Sequence, residues 1–203
     1  MKVRFANWGM SKKSARVDDS PGYIVHAAAW RETSLILQIL TRDHGVVVVV
    51  AKGAKRPYSA LRAVLAPFQP LQLAWRGAGE VHTLVRAELA GYVPIQGRAL
   101  MSAWYLNELV LQMLPREDPH PRVFDAYHAA LNELASGRTA APALRRFEWT
   151  LLHEAGYGLD TDLPDFTDMS KEPQLRASLR ERLSHVLERP LRTRTILMEL
   201  QQL

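Results

Sequence analysis

A run of five consecutive valines, from Val46 to Val50, limits what this chain can fold into. A β-branched side chain loses rotamer freedom in a helix and packs well on a pleated surface, so the run predicts a buried β-strand. The strand is expected to end at Lys52-Gly53, because Gly53 permits backbone angles that other residues avoid. Pro57 then fixes φ and removes a hydrogen-bond donor. A stiff strand therefore leads directly into an irregular loop.

Positive charge is concentrated in and after this loop. No acidic residue lies between Asp43 and Glu80, whereas five basic residues do. Such a surface favours a polyanion as its partner, although a solvated surface cluster is the alternative. Tyr58 lies in the loop and not in a strand, so it is the candidate platform for base stacking. The candidates for phosphate contacts are Lys52, Lys55, Arg56, Arg62 and Arg76.

The two halves of the chain differ in charge. Residues 1–90 contain 13 lysines and arginines against 6 acidic residues, and residues 91–203 contain 13 against 15. The 203 residues are 47% hydrophobic, which is enough for a real core. The sequence has no apolar run of about 18 residues and no apolar stretch near its start, so neither a membrane helix nor a secretory signal is expected. The absence of cysteine excludes disulfides and thiolate zinc sites, and it suits a reducing cytoplasm.

The first half has the pattern of a small β-barrel. Its longest connection, residues 52–66, falls between the third and fourth predicted strands and has room for a short helix. This layout predicts a closed five-stranded Greek-key barrel of the OB type, with an SH3-like barrel as the competitor. Phe68 and Trp75 are expected to pack in its core or rim, with base stacking as the alternative. The predicted strands are Tyr23–Val25, Thr33–Leu40, Val46–Ala51, Phe68–Trp75 and Val81–Leu89.

After Pro94 the apolar period changes from 2 to about 3.6, which predicts an all-helical second domain. We expect α+β architecture with a flexible basic arm at 1–20, an OB domain at 21–92 and a helical domain at 93–203. Pro115 ends the first helix, and its expected buried face consists of Leu100, Ala103, Trp104, Asn107, Val110, Leu111 and Leu114. The later helices are predicted at Arg122–Ala135, from Pro142 to Ala155, at Gln174–Leu187 and at Arg192–Leu200.

Motifs of catalysis are missing from the sequence. There is no nucleophile elbow, phosphate loop or dinucleotide fingerprint, so we expect neither an enzyme nor a cofactor. His120 and His128 are eight residues apart, which is not a ligand spacing on one helix face. The aspartates at 160–168 lack the glycine and the glutamate of a calcium loop. Arg145-Arg146 is either a solvated pair or an anchor for a partner's carboxylates.

Several short motifs occur in one order along the chain, and together they resemble the RecO family of bacterial recombination mediators. Each motif is short, but their joint order over residues 22–160 is specific. The motifs are Arg31-Glu32-Thr33-Ser34-Leu35, Thr41-Arg42-x-His44-Gly45, Lys52-Gly53-Ala54-Lys55-Arg56-Pro57, Tyr105-Leu106-Asn107-Glu108-Leu109, Asp118-Pro119-His120-Pro121 with Phe124, and Leu144-Arg145-Arg146-Phe147-Glu148 leading to Gly156-Tyr157.

The resemblance implies a function without covalent chemistry. It implies binding of single- and double-stranded DNA, annealing of complementary strands, and help in loading the recombinase RecA at gaps. The implied partners are RecR and the acidic C-terminal tail of the single-stranded DNA-binding protein, and the implied location is the cytoplasmic nucleoid. Lys52, Lys55 and Arg56 match the family's basic loop, and Arg145 and Arg146 match the motif connected with the acidic tail.

The chain departs from the family pattern in two ways. Many members bind zinc through four cysteines after the Gly-Tyr segment, and this chain has none. The region between Leu163 and Gln174 is also shorter than the usual insert. The alternative function is a protein adaptor whose barrel is only a scaffold, and a nuclease is a third reading that the lack of an acidic metal cluster beside the basic loop disfavours.

Overall fold

The computed structural model describes residues 15–193 and 196, and it contains a closed five-stranded barrel followed by helices. A short helix, α1 (Ala60–Val64), lies between the third and fourth strands, as expected. The α+β fold class and the five strands are therefore confirmed. The strands are β1 (Ala15–Trp30), β2 (Ser34–Thr41), β3 (Gly45–Ala51), β4 (Leu71–Gly77) and β5 (His82–Leu89).

The barrel closes in the order β1-β2-β3-β5-β4. All neighbouring strands are antiparallel except β3 and β5, which pair in parallel through Val49 with His82 and Val50 with Thr83. This order, with a helix inserted between β3 and β4, is that of the predicted OB barrel. The parallel pair brings the end of β3 beside the start of β5.

The valine run is buried on both of its faces. Val47 and Val49 lie in the barrel core, whereas Val46 belongs to a second core that is shared with the helices. A strand covered on both faces shows a continuous apolar run instead of alternation. Each buried valine stabilises the fold by roughly 1.5–3 kcal/mol.

Strand β4 begins three residues later than expected, and β1 begins eight residues earlier. Phe68 lies outside β4 with a φ of 66°, and its buried ring packs edge-on against Trp104 at 4.9 Å between centroids. Phe68 therefore belongs to the core shared with the helices, and β4 begins only after Pro70. The predicted arm lies outside the described residues over 1–14, but residues 15–20 belong to β1 and pair with β4.

Four longer helices follow the barrel, and none of the described helices is both long and apolar enough to cross a membrane. Pro121 occupies the first turn of the helix that begins there, because the N–H groups of a first turn have no acceptor within the helix and the missing one is no loss. The predicted helix at 192–200 lies mostly outside the described residues. The helices are α2 (Ala99–Met113), α3 (Pro121–Ala135), α4 (Ala140–Glu154) and α5 (Glu172–Val186).

The buried face of α2 is partly the predicted one, since Ala103, Asn107 and Val110 are buried as expected. Leu100 and Trp104 are 38% and 41% exposed, whereas Leu106 and Leu109 are fully buried. Helix α2 contacts β1 on one side and α3 and α4 on others, so its apolar positions are not confined to one stripe. A single-face reading of the period therefore chose the wrong pair of residues.

Buried polar contacts join the two domains. The Asn107 side-chain amide donates to the Val25 carbonyl of β1 at 3.1 Å, and within the helical domain the Tyr127 hydroxyl donates to the side-chain Oδ1 of Asn107. At the surface, Arg42 donates twice to the Asp125 carboxylate, at 3.0 and 3.1 Å. These contacts hold the helices against one side of the barrel, near the beginning of β3. The basic loop leaves the other end of β3, five residues or roughly 17 Å along the strand.

Candidate nucleic-acid interface

The loop after β3 is held in one conformation by backbone hydrogen bonds. Gly53 has a φ of 72°, and its carbonyl accepts the Arg56 amide at 3.1 Å. The Lys55 amide donates to the Thr33 carbonyl at 2.9 Å, so the β1–β2 hairpin supports the loop from the side. Ala54 is buried between the loop's cations and anchors it to the barrel. The loop is therefore a fixed feature of the surface.

Three cations of the loop are exposed and unpaired. Lys52, Lys55 and Arg56 make no ion pair or side-chain hydrogen bond with any residue in the described part of the chain. Two other arginines of the barrel are paired: Arg86 contacts Asp19 and Glu88, and the hydrogen bond from Arg42 to Asp125 raises the pKa of Arg42. The loop cations keep their full charge available for an outside anion.

Arg62 joins the loop cations across a shallow concavity. Lys55 and Arg62 line the same depression of about 330 Å³, and Leu35, Ala54 and Leu65 form the rest of its wall. Helix α1 begins after Ser59, whose carbonyl accepts the Arg62 amide at 3.1 Å. An anionic group bound in this depression would contact both cations, Lys55 and Arg62, and the apolar wall.

Strand register places Arg76 on the same outer surface. Val50 of β3 is opposite Thr83 of β5, and Thr83 is opposite Arg76 of β4. Directly paired residues share a face, and neighbouring strands are about 4.8 Å apart, so Arg76 lies roughly 10 Å from Val50 across the sheet. The next residue in this row is Arg16 of β1, which forms an ion pair with Asp18.

Tyr58 is the most exposed aromatic residue that the structure describes. Its side chain is fully exposed, and its φ is 65°. This left-handed backbone costs an L-residue about 1–2 kcal/mol, and packing of the ring offsets none of it here. Strain without a packing reason is typical of functional positions. The structure thus keeps Tyr58 where an open aromatic face is available.

Two residues of the β1–β2 hairpin join this surface, and Arg31 was not among the predicted phosphate contacts. Trp30 is 43% exposed at the end of β1, and Arg31 has a φ of 54°. Arg31 and Glu32 form no ion pair with each other among the described residues. The Thr33 carbonyl that accepts the Lys55 amide brings this hairpin to the loop, and no local sequence signal reports that contact.

Arg145 is placed differently from the prediction of an open anchor. It is 7% exposed, and its guanidinium donates to Glu148 at 2.6 Å and to Glu172 at 3.2 Å. Glu148 is itself buried, and the Tyr105 hydroxyl donates to it at 2.7 Å. Burial raises the pKa of Glu148, and Arg145 opposes that shift. Arg145 therefore stabilises a buried carboxylate in this structure, and a partner has no direct access to it.

Arg146 remains partly exposed. Its side chain is paired with Glu133 of α3, and its guanidinium lies over the Phe166 ring, 5.6 Å from the centroid. The Phe166 ring also packs edge-on against Trp149, with 6.4 Å between the ring centroids. The predicted partner site is thus in contact with the segment that follows α4.

The residues present do not fit the zinc site of many RecO proteins. The chain has no cysteine. Among the residues that the structure describes, no group of three or more histidine, aspartate and glutamate side chains is close enough together to hold a metal ion.

Comparison with known proteins agrees with this architecture. The family model "Recombination protein O N terminal" matches residues 17–93, and "Recombination protein O C terminal" matches residues 96–163. These ranges cover the barrel and most of the helical domain.

Curated relatives share about half of their aligned residues with this chain. A DNA repair protein RecO of Aromatoleum aromaticum is 53% identical over 165 residues, which are 81% of this chain and 68% of the relative. Proteins of the same name from Azoarcus sp. strain BH72 and Cupriavidus pinatubonensis are 52% and 50% identical over 71% and 81% of this chain, and over 60% and 57% of their own length. The chain thus spans between somewhat over half and two thirds of the relatives' length. It belongs to the RecO family of DNA repair proteins.

Proposed function

We propose that this protein binds single- and double-stranded DNA through the end of the barrel that carries the basic loop. The observation that supports this most directly is the set of exposed loop cations with no carboxylate partner among the described residues, beside the fully exposed Tyr58. Phosphates fit the cations, and an unstacked base fits the aromatic face. Contacts to the backbone carry no sequence information, so the binding is expected to be independent of sequence.

The same charges provide a mechanism for annealing. Two complementary strands repel each other through their phosphates, and a cationic surface that neutralises some of them allows the strands to approach. Base pairing then supplies the specificity. No covalent step is needed, and we propose that the protein acts as a recombination mediator and not as an enzyme.

The proposed partners follow from the family. We include RecR, with which the protein would help to load RecA at gaps, and the acidic C-terminal tail of the single-stranded DNA-binding protein. The half-exposed Arg146 on α4 suits that tail, because a guanidinium binds carboxylates in a fork. The proposed place of action is the cytoplasmic nucleoid, where the DNA is.

Salt dependence tests the proposal. With ~4–6 phosphate contacts on a single strand, log affinity is expected to fall against log salt with a slope of about −3 to −4. Fluorescence anisotropy of a labelled oligonucleotide measures it. The triple variant K52A/K55A/R56A is expected to weaken binding to every sequence alike and to make the slope shallower by about 2.

A charge-matched variant provides the control. R42A/R86A/R122A removes the same three charges from exposed arginines that are each paired with a carboxylate. It is expected to retain most of the affinity, because those charges are already compensated. Equal losses in the two triple variants would mean that only net charge matters. A flat salt response would reject DNA binding and favour the adaptor.

A further inference from the structure

The segment between α4 and α5 is acidic and folds back onto α4. Residues 160–172, called here the acidic segment, contain five carboxylates and one lysine. Asp165 accepts from the Thr167 hydroxyl at 2.7 Å and Asp168 from the Ser170 hydroxyl at 2.5 Å, which shapes the backbone into two tight turns. These turns hold Phe166 between the two aspartates.

Two residues of the acidic segment occupy the arginine pair of α4. Phe166 lies under the Arg146 guanidinium and against Trp149, and Glu172 binds Arg145. The segment thus presents an aromatic ring and a carboxylate to the residues that the proposed acidic partner would contact. The Arg145 Nε–H is buried and has no hydrogen-bond acceptor among the described residues.

The covering elements are held more weakly than the surface they cover. Helix α5 buries only Leu179 and Leu183, whereas α4 of the same length buries seven side chains. Phe166 is only partly buried, and Leu163 is 75% exposed. Local opening has the lowest free energy where few apolar contacts are made, so this cover opens before α4 does.

We propose that the acidic segment is an internal competitor that occupies the partner site on α4 and must leave before an acidic peptide binds there. This inference rests on the proposed function, because it takes the acidic tail as the external ligand. A site that is open only part of the time binds with an affinity reduced by the open fraction. Variants that weaken the cover are therefore expected to bind the tail more tightly.

The experiment measures binding of a fluorescein-labelled acidic C-terminal peptide of a bacterial single-stranded DNA-binding protein to the full chain. Phe166→Ala removes the ring under Arg146, and Glu172→Ala frees Arg145. Each is expected to tighten binding about three- to tenfold, since a cation–π contact or an ion pair of this kind contributes on the order of 1 kcal/mol. Leu163→Ala, an exposed position in the same segment, is the control and is expected to leave the affinity unchanged.

The outcomes separate the two proposals. If the wild type binds the labelled peptide and neither variant binds it more tightly, the internal competition is overturned, whereas the acidic tail still stands as a partner. If the wild type, both variants and the control all fail to bind the peptide, the proposed contact with the acidic tail is itself overturned. Circular dichroism shows whether each variant is folded. A synthetic peptide of residues 158–172 provides a second arm: it is expected to displace the labelled tail from the F166A/E172A variant, and failure to do so refutes the competition.

Discussion

Replacing Arg145 by methionine tests whether this arginine belongs to the fold or to a binding surface. The substitution keeps the length of the side chain and removes the charge that faces Glu148, whose carboxylate then keeps only the Tyr105 hydroxyl as a donor. Breaking a buried ion pair from one side costs about 3–5 kcal/mol. A typical domain is stable by roughly 5–15 kcal/mol, so a third or more of the stability is at stake.

The loss is expected to depend on pH. Burial raises the pKa of Glu148, and removing Arg145 raises it further, since the arginine is the chief opposing influence. The folded variant then binds that proton more tightly than the unfolded chain does. Stability therefore falls as pH rises above the unfolded glutamate value of about 4.3, and the destabilisation is smaller at about pH 5 than at about pH 7.5.

Urea unfolding followed by circular dichroism at several pH values measures this effect. The double variant R145M/E148M is the matched control, because it removes both charges and is expected to recover most of the stability and lose the added pH dependence. A loss of less than about 1 kcal/mol in Arg145→Met, equal at all pH values, would refute the buried-pair account. It would return Arg145 to the role of an open anchor.

Three other substitutions test single features of the structure. Tyr58→Gly is expected to raise stability by about 1 kcal/mol in thermal unfolding, since glycine adopts positive φ freely, and to weaken single-strand binding by about 1–3 kcal/mol; unchanged affinity would exclude stacking. Asn107→Ala is expected to lower stability by about 2–3 kcal/mol, because the buried Val25 carbonyl loses its hydrogen-bond donor. A loss below about 1 kcal/mol would contradict this role of Asn107. Gly45→Ala is expected to lower the stability by at least about 3 kcal/mol or to prevent folding. A Cβ at this position, where φ is 67°, would lie 2.3 Å from the Asp118 carbonyl oxygen, and near-normal stability would refute that clash.

The sequence predicted those parts of the fold that local chemistry decides. The valine run became β3, and Pro121 marked the start of α3. Both predictions rest on preferences of the backbone that apply wherever the residue is placed. The cationic character of the loop after β3 was equally visible, because a lack of acidic residues over a long stretch can be read without knowing the fold.

The parts that the sequence did not predict depend on distant residues. Glu172 lies 27 positions after Arg145, so nothing local reveals that the arginine is already paired. The contact of Thr33 with Lys55, which adds Arg31 to the surface, joins two separate loops. Leu100 was assigned to the buried face of α2 because a periodicity argument assumes one partner surface, and α2 has several.

The distribution of carboxylates explains why opposite charges in the two halves do not cancel. The helical half contains 15 acidic residues. Glu133, Glu148 and Glu172 are engaged by arginines of the same half. Two further carboxylates contact the barrel: Asp125 contacts Arg42, and Glu117 contacts His82. Asp125 lies near the beginning of β3, whereas Glu117 contacts His82, which is opposite Val49, three residues before Lys52. None of these carboxylates pairs with Lys52, Lys55 or Arg56 in the part of the chain that the structure describes, so the helical half is acidic and still leaves the loop cations unpaired.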